Sequence, residues 1–247
     1  MTMAYLNPVI PGRKLAAITA ILSMPFAYLT QFFFVMASDG DVAIFHDGHQ
    51  MLNLASDNAS MFYAAMWTDI LGYYLIFLPV IIYAWKILRE VNESLTDISF
   101  LCGLIYCLLG SFGAVNMAGA FDSLYGGYAT ASASEQAQAV AAWQATIAGN
   151  WRGYWLLEAV LAAVWLGGLG RLLAIAGLRG LGLGAMFLSV IWLAQFTLWH
   201  LGLDEASDAA LTLVVLLSPL WSVWLGISLL RLQPIRITAS SNQENIA

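Results

Sequence analysis

The sequence predicts an all-α fold, a polytopic integral membrane bundle of six transmembrane helices. Of its 247 residues, 61% are hydrophobic and only 10% are charged, whereas a soluble domain is about half apolar and about a quarter charged. Apolar runs of about 20 residues, each with at most one charge, recur along the chain. Each run is long enough to cross the hydrocarbon core of a bilayer. Almost no sequence is left over for a second, soluble domain.

The six predicted helices are joined by two long connections and three short ones. They cover roughly residues 15–36, 61–85, 98–121, 151–174, 180–203 and 209–230. The chain therefore divides into a lead (1–14), a transmembrane domain (15–230) and a polar tail (231–247). The long connections are predicted over 37–60 and 122–150.

Basic residues mark one side of the predicted bundle. Only Arg152 falls on the opposite side from the other eight, which are Arg13, Lys14, Lys86, Arg89, Arg171, Arg179, Arg231 and Arg236. Loops rich in Lys and Arg stay in the cytoplasm. We therefore predict that both termini are cytoplasmic and that the two long connections face outward, in a bacterial cytoplasmic (inner) membrane.

The second long connection contains a helix signal of its own. Ser132 and Glu135 have the spacing of a capping box, and Val140, Trp143 and Ile147 come after them at helical spacing. Gly149 offers a stop. We expect a short amphipathic helix that lies on the membrane surface or covers the mouth of the bundle.

Four polar residues fall inside the predicted helices, each on a different one. They are Asp69, Asn116, Glu158 and Gln195. A polar side chain facing lipid is costly, so these residues should point into the bundle. They are predicted to line one polar pocket open to the outside, in which apolar burial would favour protonated acids that can carry a proton. The residues near enough in sequence to add hydroxyl groups are Tyr73, Tyr154 and Thr197. A hydrogen-bond network that only fixes helix packing is the alternative.

All three histidines map to the predicted outer side. His46 and His49 lie in the first long connection, and His200 ends the fifth helix one turn before Asp204. Imidazole and carboxylate groups suit zinc, copper or iron. The four residues therefore form a candidate site for a divalent metal, and the alternative is polar loop histidines with a helix-terminal cap.

Several classes of function lack their sequence features. The chain has no basic patch, which argues against nucleic acid as a partner, and no glycine loop for phosphate. Cys102 and Cys107 lie five residues apart in one apolar run, so they fall on different helix faces and a disulfide between them is implausible. No predicted helix has a central lysine for a retinal or a ladder of arginines for a voltage sensor.

Short motifs resemble those of a bacterial six-helix integral membrane family of unknown function. They are Arg13-Lys14-Leu15-Ala16, Asp69-Ile70-Leu71-Gly72, Val115-Asn116 and Arg179-Gly180-Leu181-Gly182. The resemblance covers roughly residues 12–232. It implies the six-helix fold and no particular activity.

Three functions are compatible with these features. The first is a membrane protein whose outward-facing polar pocket binds or transports a small molecule, a cation or a proton. The second is a structural or accessory subunit of a larger membrane complex, and the third is an outer-face metal-dependent enzyme. Besides the lipid bilayer, the expected partners are other membrane subunits or further copies of the chain.

Overall fold

Six membrane-spanning helices account for most of the chain. The computed structural model describes residues 11–232, which contain helices and no strand. The helices long and apolar enough to span a membrane are Arg13–Ala37, Ser56–Leu88, Glu93–Tyr128, Ala133–Ile175, Arg179–His200 and Asp204–Arg231. The predicted six-helix bundle is therefore confirmed. Most of the predicted lead and tail, residues 1–10 and 233–247, lie outside the described residues.

Two of the spans are composite. We label the α-helices α1 (Arg13–Ala37), α2 (Gly48–Leu52), α3 (Ser56–Asp69), α4 (Leu78–Leu88), α5 (Glu93–Tyr128), α6 (Ala133–Gly149), α7 (Trp155–Ile175), α8 (Arg179–His200) and α9 (Asp204–Arg231). The second span consists of α3, a π-helical turn, a 3-10 turn and α4. The fourth span consists of α6, a second π-helical turn and α7.

The six spans form a closed ring in chain order. α1 packs along the second span, which packs against α5. The ring continues from α5 to α7, α8 and α9, and α9 returns to α1. Glycines allow the closest approaches, because a Cβ on Gly182 would lie 2.4 Å from the carbonyl oxygen of Gly170 and one on Gly226 would lie 2.6 Å from that of Ala17. Such small-residue contacts are typical of membrane helices.

The outside of the ring is apolar. Leu183, Phe187 and Val190 on α8 are 62%, 58% and 64% exposed, and every other span also exposes large hydrophobic side chains. A continuous apolar surface of this kind fits lipid rather than water. The structure thus has the surface of a multi-pass membrane protein.

The two ends of the ring differ. At one end, which we call the basic end, lie the start of α1, the α4–α5 and α7–α8 turns and the end of α9. Arg13 donates from Nη1 to the carbonyl oxygen of Leu232 over 2.5 Å there. This end carries seven of the eight basic residues predicted to be cytoplasmic, and Arg236 lies outside the described residues. The cytoplasmic orientation itself stays a prediction.

The opposite end carries a folded cap, which we define as residues 38–55 and α6, packed on the first half of α3 and the last turns of α5. The 36 residues of α5 are about 54 Å long at 1.5 Å per residue, against about 30 Å of hydrocarbon. Both α5 and the fourth span therefore project beyond the bilayer. The cap has its own core, in which Phe62, Phe121 and Trp143 are fully buried.

The cap corrects the prediction for the second long connection. The capping box of Ser132 and Glu135 is present, and Trp143 and Ile147 are buried. However, α6 does not stop at Gly149 and is not a separate surface helix, because it continues through the π-helical turn into α7. α5 also extends to Tyr128, well beyond its predicted end at residue 121.

The first long connection is also ordered and belongs to the cap. It contains a 3-10 turn (Val42–His46) and α2. The indole Nε1 of Trp143 donates to the carbonyl oxygen of Phe45 over 2.9 Å. The hydroxyl of Tyr125 donates to the carbonyl oxygen of Leu54 over 2.8 Å. These bonds join the connection to α6 and α5.

Candidate functional site

The second span loses its regular helix where its acid lies. α3 ends at Asp69, a π-helical turn covers Ile70–Tyr74, and a 3-10 turn covers Leu75–Phe77 before α4 begins. Pro79, the second residue of α4, has no N–H to donate to the preceding turn. Isolated π-helical turns occur frequently at functional sites.

Side chains of α5 donate hydrogen bonds to backbone carbonyl groups of this irregular segment. The hydroxyl of Tyr106 donates to the backbone carbonyl oxygen of Tyr73 over 3.2 Å. The thiol of Cys107 donates to the backbone carbonyl oxygen of Tyr74 over 3.3 Å. Non-α-helical backbone is tolerated at membrane depth only where its polar groups find protein or water partners. The irregular turn is therefore built into the interior of the ring.

The fourth span has a matching irregularity just before its acid. The π-helical turn Asn150–Tyr154 precedes Glu158 by one turn. Asn150 is completely buried and accepts a hydrogen bond of 3.1 Å from Nδ2 of Asn116. Both buried acids thus lie next to a π-helical turn, one at its start and the other just after its end.

Tyr74 bonds to one of the two acids and lies within electrostatic range of the other. Glu158 is 3% exposed and Asp69 is 9% exposed. The hydroxyl of Tyr74 lies 3.1 Å from Oε1 and 3.3 Å from Oε2 of Glu158, to which it donates. Asp69 lies within electrostatic range of Glu158, Tyr74 and Tyr106. We call Asp69 and Glu158 the acid pair.

Neither carboxyl of the acid pair has a basic partner among the described residues. Within residues 11–232, the salt bridges are those of Arg89 with Glu93 and Asp97, at the α4–α5 turn. No hydrogen bond from another described residue reaches the Asp69 carboxyl, and Glu158 accepts from Tyr74 alone. The pair therefore has more acceptor oxygens than the surrounding protein has donors.

Tyr73 links the site to α9 and α1 through hydrogen bonds of its hydroxyl group. Its hydroxyl donates to the carbonyl oxygen of Val215 on α9 over 3.2 Å and accepts a long bond of 3.4 Å from Nε2 of Gln31 on α1. Tyr73 is among the hydroxyl groups that the sequence places near the acids. The contributions of Tyr74 and Tyr106 were not predicted.

The predicted four-residue pocket stays a prediction, and the structure places its two acids within electrostatic range of each other. Asn116 is exposed on the side of α5 and pairs with Asn150. Gln195 is half-buried, and its Oε1 finds no hydrogen-bond partner among the described residues. Neither amide forms a hydrogen bond with the acid pair in this part of the chain.

The four predicted metal ligands are likewise not gathered. His46 packs edge-on against Trp151 with ring centres 4.8 Å apart, and partial burial lowers its pKa, an effect that the carboxylate of Asp208 opposes. His200 lies against the ring of Phe196 on its own helix. His49 and Asp204 complete the predicted set. Between residues 11 and 232, no three His, Cys, Asp or Glu side chains are grouped to hold a metal ion.

Comparison with known proteins adds no further constraint. No family model, curated protein or solved structure matched the chain. The resemblance to a bacterial six-helix family therefore stays a prediction, and the geometry of the acid pair is the best indication of function.

Proposed function

We propose that this protein translocates protons across the membrane and that the acid pair is its proton-binding centre. The observation that carries the proposal is the burial of Asp69 and Glu158 within electrostatic range of each other, with the Tyr74 hydroxyl bonded to Glu158 and no basic partner among the described residues. An ionisable residue in a membrane bundle is by default a functional candidate.

Electrostatics favour a shared proton at this position. Two carboxylates in one low-dielectric site repel each other, so one of them retains its proton. The hydroxyl of Tyr74 satisfies one lone pair of Glu158, and a proton on either acid would supply a further donor. The centre therefore gains or loses a proton without having to break a salt bridge.

The positions of the acids along their helices suit a relay. Asp69 lies about 30 Å from Arg89 at 1.5 Å per residue, close to the full thickness of the hydrocarbon. Glu158 lies about 20 Å from Arg171 on the same scale. If both arginines mark the basic-end boundary, Asp69 lies near the cap-side boundary and Glu158 lies deeper. Protons arriving from the cap side would meet Asp69 first.

The test is proton flux into liposomes that contain the purified protein and a pH-sensitive dye, driven by a potassium diffusion potential. We expect the wild type to exceed empty liposomes, and Asp69→Asn and Glu158→Gln each to fall to the empty-liposome rate. Glu90→Gln is the matched control, because Glu90 is an exposed acid at the α4–α5 turn. Its flux should equal that of the wild type.

Two results would overturn the proposal. One is a wild-type rate no higher than that of empty liposomes. The other is a folded Glu158→Gln variant that keeps the wild-type rate and loses only stability, which would leave the pair as a structural network. Circular dichroism and size-exclusion chromatography establish folding for each variant.

A further inference from the structure

Two small, partly open cavities are each lined by several spans and share one lining residue. The first, which we call the inner cavity, is lined by α4, α5 and α7, with Thr96, Ser99 and Trp85 as its polar side chains. The second, the central cavity, is lined by Tyr73, Tyr106 and Ser218 and by several aromatic rings. Trp165 lines both.

Tyr106 and Tyr74 connect the central cavity to Glu158, which itself does not line the cavity. The ring of Tyr106, which lines it, lies 5.3 Å from the ring of Tyr74 between centres, and Tyr74 donates to Glu158. The cavity has room for about one water molecule, and three hydroxyl groups on its wall could bind it.

The inner cavity leads toward the basic end. Trp85, on its wall, donates from Nε1 to Oδ1 of Asp97 over 2.8 Å. Asp97 also pairs with Arg89, and both side chains are more than 40% exposed. This cavity is at the lower size limit for holding one water molecule. It therefore lies one side chain away from charged groups in contact with water.

Trp165 is held firmly between the cavities. It is 4% exposed, and its ring lies edge-on to Phe77 at 5.8 Å and beside Tyr106 at 5.4 Å. On its third side it packs on Gly103, where a Cβ would lie 3.0 Å from Cδ1 and Nε1 of the indole. An apolar ring in this position interrupts a chain of water and hydroxyl groups.

We propose that the two cavities form the proton route from the acid pair to the basic end, and that Trp165 is the gate residue separating them. The inference rests on the proposed function. Along this route a proton from the carboxyl of Glu158 passes Tyr74 and Tyr106 to reach water in the central cavity. It then passes to water in the inner cavity only when the Trp165 ring moves aside.

The test compares two equivalent substitutions in the same proton-flux assay. Trp165→Phe shortens the shared wall, while Trp143→Phe makes the same change in a buried residue of the cap that lines neither cavity. If the lost part of the indole accounts for about 1.4 kcal/mol of the barrier, Trp165→Phe raises the flux about tenfold. Trp143→Phe should leave the flux unchanged. Trp165→Ala should raise it further, and Trp165→Phe keeps the test valid if the alanine variant does not fold.

Equal rates for wild type, Trp165→Phe and Trp143→Phe would refute the gate. Combining Trp165→Phe with Glu158→Gln separates the two proposals. Loss of flux in the combined variant supports both. A raised flux that persists in the combined variant supports the gate and refutes the acid pair as the proton-binding centre. If Trp165→Phe has no effect on flux while Glu158→Gln abolishes it, the gate is refuted and the acid pair is not.

Discussion

Replacing Gly110 by alanine should destabilise the bundle by forcing Tyr74 out of place. A Cβ on Gly110 would lie 2.0 Å from Cε1 and Cζ of Tyr74, well inside van der Waals contact. The ring has little freedom to retreat, because its hydroxyl bonds to Glu158 and its face packs near Tyr106. Overpacking of a buried site costs about 1–3 kcal/mol, and we expect a loss in that range.

The assay is unfolding of purified protein in detergent, by heat or by titration with a denaturing detergent. Gly119→Ala is the matched control on the same helix, since a Cβ there meets nothing within 4 Å. It should be neutral or slightly stabilising. In a Tyr74→Ala background, the loss caused by Gly110→Ala should disappear, because residues in contact are energetically coupled. Equal stability of Gly110→Ala and Gly119→Ala would refute the placement of Tyr74 between α5 and Glu158.

Three further predictions concern the spans and the cap. Gly72→Ala should prevent α1 from packing on the second span, because its Cβ would lie 2.4 Å from the backbone nitrogen of Ala27. The yield of folded protein measures this loss of packing, and a normal yield would contradict the prediction. Trp143→Ala should lower the free energy of unfolding by about 3–5 kcal/mol and expose the cap to proteolysis while the spans stay intact. An unchanged digestion pattern would contradict a buried Trp143. In the cap, beyond the bilayer, hydrogen bonds with Ser132 hold the pKa of Glu135 below its usual value. The stability that Glu135 adds to the cap is therefore present above the unfolded pKa of about 4.3 and is lost as pH falls through the lower folded value. Hydrogen exchange of α6 should show this acid dependence and Glu135→Gln should remove it, whereas equal dependence in both proteins would contradict the capping box.

Composition and hydropathy suffice to predict the fold because membrane spans depend on length and apolarity. The bounds of the spans were harder to predict. α5 runs on past residue 121 because its last turns pack in the cap, where Phe121 and Tyr128 are buried. Hydropathy falls there, since this part of the helix lies outside the hydrocarbon, but the helix itself does not end.

The acids were predictable and their partners were not. Asp69 and Glu158 stand out because carboxyl groups are rare in apolar runs. Regular helix spacing selects Tyr73, four residues after Asp69, whereas the π-helical turn also brings Tyr74, five residues on, within range of Asp69. Tyr106 reaches the site from another span, and a single sequence gives no register between spans.

The remaining corrections have similar causes. Asn116 has a polar partner in Asn150, a residue that the sequence places in a loop and the structure places in a helix. The histidines at the cap end find aromatic neighbours instead of one another, and His46 and His200 pack against Trp151 and Phe196. The fold of the first long connection decides the His46 contact, which local sequence patterns do not specify, whereas the His200 contact is between residues four apart on one helix.

The proposed mechanism requires the acid pair to hold a proton, and infrared spectroscopy of the purified protein near neutral pH detects that proton. A protonated carboxyl group has a carbonyl band distinct from that of a carboxylate. We expect this band in the wild type and in Glu90→Gln, and we expect its loss in the Asp69→Asn, Glu158→Gln double variant. A wild-type spectrum without the band, or a band that survives in the double variant, would contradict the mechanism.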